Sequence, residues 1–86
     1  MRTIKILYFA RFKERLNYSI ESLDLPQDVN NVAQLKSLLA KRGDSWAEIF
    51  QQESQVRVAI NHQLVTDTAN ISDDDEVAFF PPVSGG

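Results

Sequence analysis

Three groups of residues in this sequence could do chemistry: a lone histidine, His62; four consecutive carboxylates, Asp73 to Glu76; and the closing Gly85-Gly86 of "FFPPVSGG". A single imidazole beside Asn61, with no Ser or Cys nucleophile pattern in the chain, reads as a surface turn residue rather than a general base. The acidic run lacks the alternating Asp/Asn spacing and central glycine of a calcium loop, so it reads as a solvated turn. That leaves the end of the chain. Glycines have no Cβ, so Gly85 and Gly86 can pass through a narrow channel and leave the last carbonyl open to an attacking or departing group. An α-carboxyl with a pKa of about 3.5 is an unreactive carboxylate at neutral pH. To react it must first be activated, most simply as an acyl-adenylate made elsewhere with ATP.

The residues before the glycines suit delivery of such a group. Phe80 to Gly86, fully extended, reaches ~23 Å, enough to enter another protein's active site. Pro81 and Pro82 fix φ and favour a stiff, extended exit, so less entropy is lost on threading. Val83 and Ser84 can anchor the segment by contact and hydrogen bonding. The plain alternative is a frayed terminus, which the run of a strand straight into "FFPP" disfavours.

A platform must hold this tail. Arg2 to Phe9 alternates, with Ile4, Ile6 and Tyr8 on one side and Lys5, Leu7 and Phe9 on the other, which predicts a strand. Asn17 to Leu25 reads as a second strand, with an expected bulge near Glu21 and Ser22 where the apolar parity shifts. The linker "ARFKERL" is too long for a tight turn and suits a helical turn. Asn31 caps a helix carrying Val32, Leu35, Leu38 and Leu39, with Gln34 three residues after the cap and Lys41, Arg42 and Gly43 at its end. Ser45 and Glu48 suggest a capping box for a second short helix with Trp46, Ile49 and Phe50, Trp46 being read as a core residue over the sheet edge. Gln55 to Asn61 predicts a third strand, "NHQL" a turn into a short fourth at Leu64 and Val65, and Glu76 to Phe80 the last, after a polar loop plugged by Ile71. Strands gathered around one main helix give an α+β fold, a mixed sheet of about five strands packed on that helix. The order permits a β-grasp arrangement with the first and last strands parallel neighbours. The expected division is a domain over residues 1–80 and a flexible tail over 81–86.

Composition narrows the function classes. For 86 residues one small domain is expected, with no second domain to form a cleft. A net charge of −3 argues against binding a phosphate backbone and suits a basic protein partner. No apolar run approaches the ~20 residues of a membrane span, and "MRTIKILYFARFKERL" lacks a leader's cleavage site, so no membrane association and a cytoplasmic location are expected. Cysteine is absent, which excludes thiolate chemistry by the chain itself. No glycine-rich phosphate loop exists, and no bound cofactor or metal is expected.

The stretch "DEVAFFPPVSGG", with "IKILYFARFKERL" and "VAINHQLV", closely resembles the small subunits of molybdopterin synthases, which are ubiquitin-like β-grasp sulfur carriers. A terminal Gly-Gly alone is shared with the thiamin sulfur carrier and with ubiquitin-like modifiers; the double Phe-Pro is not typical of those. The resemblance implies that an E1-like enzyme adenylates Gly86 and a sulfur donor protein converts the adenylate to a thiocarboxylate. The tail then enters the large synthase subunit, where sulfur passes to cyclic pyranopterin monophosphate. Two such transfers build the dithiolene that binds molybdenum. It further implies that Gly86 carries the acyl group, that Gly85 gives it clearance, and that catalytic side chains lie in the large subunit, in a heterotetramer of two small and two large subunits. Phe80, Pro81, Pro82, Val83 and Ser84 would line the partner's channel. Leu7 and Phe9 would either be covered by a partner or fill a second minicore under residues 11–16. The family often has a glycine in the turn before the last strand, where this chain has Asp74.

Overall fold

The structure, a computed structural model, describes residues 2–52 and 56–82. β1 (Arg2–Tyr8) turns Ile4, Ile6 and Tyr8 into the core, all fully buried, and Lys5 and Leu7 outward. It ends one residue before Phe9, which takes the N-cap position of α1 (Ala10–Leu16). α1 closes on Asn17, whose left-handed φ of 62° lets its N–H reach the Lys13 carbonyl. Phe12 and Leu16 of α1 enter the main core. The linker is thus a packed helix over the end of the sheet, and no second minicore covers Phe9, which is 45% exposed.

β2 (Ile20–Leu25) pairs antiparallel with β1 in unbroken register, from Leu25 opposite Arg2 to Ile20 opposite Leu7. The expected bulge is absent. Glu21, Leu23 and Leu25 share the inner face with Ile6 and Ile4, whereas Ile20 lies outward beside Leu7 and Tyr18 precedes the strand. A carboxylate can occupy the inner position because it is fully partnered. The Tyr8 hydroxyl donates to Glu21 at 2.8 Å, and the Arg42 guanidinium holds both Glu21 oxygens at 2.9 Å while lying 4.4 Å over the Trp46 ring. Trp46 also meets Tyr8 edge-on at 5.5 Å, so it closes this side of the core.

Burial opposes the Glu21 charge, but the hydrogen bonds from Arg42 and Tyr8 and the guanidinium charge outweigh it and hold its pKa below the ordinary value. A depressed carboxylate contributes stability that is complete above the unfolded pKa of about 4.3 and is lost as pH falls through the lower folded value. Glu21→Gln is therefore expected to cost about 1–3 kcal/mol at pH 7 and much less well below pH 4. Urea melts of both proteins at pH 7 and in acid check this; an equal deficit at both pH values would contradict it.

α2 (Val32–Ala40) starts at Asn31, whose side chain accepts the Gln34 N–H at 2.9 Å, while the Gln34 side chain accepts the N–H of Asn30. Val32, Leu35 and Leu39 are buried against the sheet. Gly43, at φ 81°, makes the turn into α3 (Asp44–Ala47), a conformation that a Cβ would strain. The expected Ser45–Glu48 capping box does not form: Gly43 is the N-cap, Ser45 lies inside the helix, and Glu48 pairs with Arg15 at 2.6 Å. A π-helical turn, Glu48–Gln52, follows and buries Ile49 and Phe50.

β3 (Arg57–Ile60) and β4 (Gln63–Val65) form a hairpin whose two loop residues, Asn61 and His62, both take positive φ, 51° and 73°. Ile71 plugs the following loop. β5 (Glu76–Phe80) then runs through the middle of the sheet, parallel to β1 and antiparallel to β3, giving the strand order β2-β1-β5-β3-β4. This is the β-grasp topology expected of the sequence. Among the described residues no helix is long and apolar enough to cross a membrane.

Candidate functional site

The tail leaves from the best-anchored strand. β5 has neighbours on both sides, and its inward Val77 and Phe79 are completely buried. Phe79 stacks on Tyr8 at 6.3 Å and meets Phe50 edge-on at 4.9 Å. These contacts fix the direction in which the chain departs. Phe80, alternating outward, is half-buried at the root, and Pro81 and Pro82 continue beyond the strand, also half-buried. Val83, Ser84, Gly85 and Gly86 lie outside the described residues, as does Gln55 of the expected third strand.

The outer sheet face carries a feature that alternation alone did not reveal. Register places Ile20 opposite Leu7, Leu7 beside Ala78, Ala78 opposite Ala59, and Ala59 opposite Leu64. One apolar position from each of the five strands therefore forms a continuous row, about 19 Å long at ordinary strand spacing. Ile20 is 50% and Leu64 69% exposed, and among the described residues no helix covers this face. On the tail side of the row lie Phe9, Phe80 and Arg57, the last directly opposite Phe80. On the other side the row gives way to Ser22, Lys5 and Glu76. An apolar strip bounded by charge and leading to the tail root has the anatomy of a docking surface.

Of the residues singled out from sequence, Leu7, Phe9 and Phe80 thus share one face and one end of the sheet. Ile20, Ala59, Leu64 and Ala78 were missed. The parity shift after Ile20 reads as a bulge until register places Ile20 on the outer face, and two alanines attract no notice until strand order brings them together.

The other chemical candidates are structural. Asp73 accepts the Thr3 N–H at 2.8 Å, and Asp75 accepts from the Ser72 N–H and the Asn61 side-chain amide. Asp74 takes φ 68°, filling the left-handed turn position where a glycine would also serve. His62, within the hairpin turn, has an 85% exposed side chain and lies 3.3 Å from Glu76.

Comparison with known proteins places this geometry. The profile of the ThiS family matches residues 6–86. The molybdopterin synthase sulfur carrier subunit of Escherichia coli is 35% identical over 83 residues, spanning 96% of this chain and 99% of that protein. Among solved structures, a putative molybdopterin converting factor subunit 1 from Pyrococcus furiosus superposes with a TM-score of 0.78 at 26% identity, covering 96% of this chain and 100% of the other. A chain from the complex of subunits 1 and 2 of the molybdopterin-converting factor of Helicobacter pylori shares the fold, with a TM-score of 0.67 at 18% identity over 98% of this chain and 99% of that one.

Proposed function

The chain belongs to the ThiS family, and from that membership we propose that it is the sulfur carrier subunit of a molybdopterin synthase. The observation that carries the reading is the match to the Escherichia coli sulfur carrier subunit along almost the whole of both chains, tail included in the family profile. The geometry supplies what a carrier needs: a rigid strand from which the tail departs, and an uncovered apolar row that runs to its root.

In this reading the carboxylate of Gly86 attacks the α-phosphorus of ATP in an E1-like enzyme, and pyrophosphate leaves. Sulfur delivered by a donor protein at the sulfide oxidation level then attacks the acyl carbon and expels AMP, leaving a thiocarboxylate. Gly85 keeps the approach to that carbon clear. The tail next enters the large synthase subunit, and its sulfur passes to cyclic pyranopterin monophosphate. The chain contributes no catalytic side chain and binds no cofactor of its own; ATP is consumed by the activating enzyme. The Helicobacter pylori complex supports a large-subunit partner, and two copies of each subunit form the assembly.

Loaded carrier, its large subunit and cyclic pyranopterin monophosphate are expected to give molybdopterin in proportion to the carrier supplied. A result with no product, together with covalent attachment of the chain to lysines of other proteins, would instead make it a protein modifier. Phe80→Ala removes an aromatic anchor at the channel mouth and is expected to weaken binding to the large subunit by about 1–3 kcal/mol, measurable by calorimetry.

A further inference from the structure

One charge stands inside the apolar surface at the root of the tail. Arg57 opens β3 directly opposite Phe80, and alternation turns it outward: it is exposed, Val58 after it is buried, and Ala59, two residues on, belongs to the aliphatic row. No acid occupies the outward positions around it. Phe80 lies across, Ala59 along the strand, Ala78 on the diagonal, and Thr66, next after Val65, on the β4 side. Other cations of the molecule are matched. Arg15, Arg42 and Lys36 pair with Glu48, Glu21 and Asp67, and Lys5 on the same sheet face stands beside Glu76. Among the described residues the Arg57 guanidinium has no ion pair, hydrogen bond or ring contact.

Opposed residues on antiparallel strands hold their Cβ atoms about 4.5–5.5 Å apart. A partner that encloses the tail from Phe80 onward therefore covers Arg57 as well. A guanidinium shut off from water needs a counter-charge, because its desolvation is otherwise uncompensated. Its planar fork suits a carboxylate held by two parallel hydrogen bonds. We propose that Arg57 is a specificity-determining residue of the docking surface, and that the large synthase subunit sets an Asp or Glu side chain against it, beside its seat for Phe80. This rests on the sulfur-carrier reading. The aliphatic row can adhere to any flat apolar surface, whereas the lone cation at the tail root selects the surface that carries a carboxylate in the matching place.

The test is the binding kinetics of the full chain with the large subunit from the same genome, followed by surface plasmon resonance. Truncating one member of a covered charge pair acts on dissociation, whereas altering a charge at a wet rim acts on association. Arg57→Gln is expected to raise koff about tenfold or more with kon within about threefold, and Arg57→Glu, which opposes two acids, to raise it about 10²-fold or more. Arg57→Lys restores the charge without the fork and should fall between wild type and Arg57→Gln. Arg57→Leu decides the chemistry of the facing surface: it strands a carboxylate and should bind about tenfold or more weakly, whereas against an apolar surface it would bind more tightly. In Arg57→Lys a carbodiimide should also join position 57 to an Asp or Glu of the large subunit, a link located by mass spectrometry. Unchanged koff in folded Arg57→Gln and Arg57→Glu, tighter binding by Arg57→Leu, or no link through position 57 would overturn the carboxylate contact and leave the carrier function standing. Failure of the wild-type chain to bind the large subunit would overturn both.

Discussion

Deleting Gly86 is expected to abolish sulfur loading while leaving the fold as stable as before. The deletion draws the carboxylate back by one residue, about 3.5 Å. Adenylation requires reacting atoms held near 3–3.5 Å, and a misplacement of 1 Å can already cost about 10²-fold, so a loss of at least that size is expected. The core that sets stability ends at Phe79, six residues or more before the altered terminus. A melting temperature within about 3 °C of wild type should therefore accompany the loss. A large drop in melting temperature would contradict a tail lying outside the core, and unimpaired loading would contradict Gly86 as the acyl carrier.

The second large effect is expected at Ala78, in the middle of the outer row. Its small, half-buried side chain lies between Leu7 and Ala59, so a partner surface can lie flat across the three strands. Ala78→Arg raises a long cation in the centre of that strip, which must be desolvated or held apart from the partner. Affinity for the large subunit should fall by about 10²-fold or more, the behaviour of a central interface position. Because the residue faces away from the core, the folding cost should stay within about 1 kcal/mol. Lys5→Ala, in the polar row beyond the strip, should change binding little. If Ala78→Arg bound as tightly as wild type, the large subunit would dock elsewhere and the row would need another occupant.

Much of this molecule was legible before its structure. Alternation in β1 and β5, the Asn31 cap, the Asn61-His62 turn and the Ile71 plug are local signals, each created by residues within a few positions of one another. The reading of the tail rests on a local signal too, the order of Phe80, Pro81, Pro82 and the glycines, of which the structure describes the first three. What was misread depended on distant partners. Glu21 looked like a break in a strand because its reasons for facing inward, Tyr8 and Arg42, are 13 and 21 residues away. The Ser45–Glu48 box failed because Arg15, 33 residues away, engages Glu48 and Gly43 begins the helix. The docking row could not be assembled without register, since it takes one residue from each strand.

The most direct test of the central claim is the intact mass of the chain with its native terminus, after incubation with its adenylating enzyme, ATP and a sulfur source. The account predicts a species heavier by about 16 Da, the exchange of one oxygen for sulfur, present in the full chain and missing when Gly86 is deleted. An unchanged mass under conditions where the adenylating enzyme loads another carrier would contradict it.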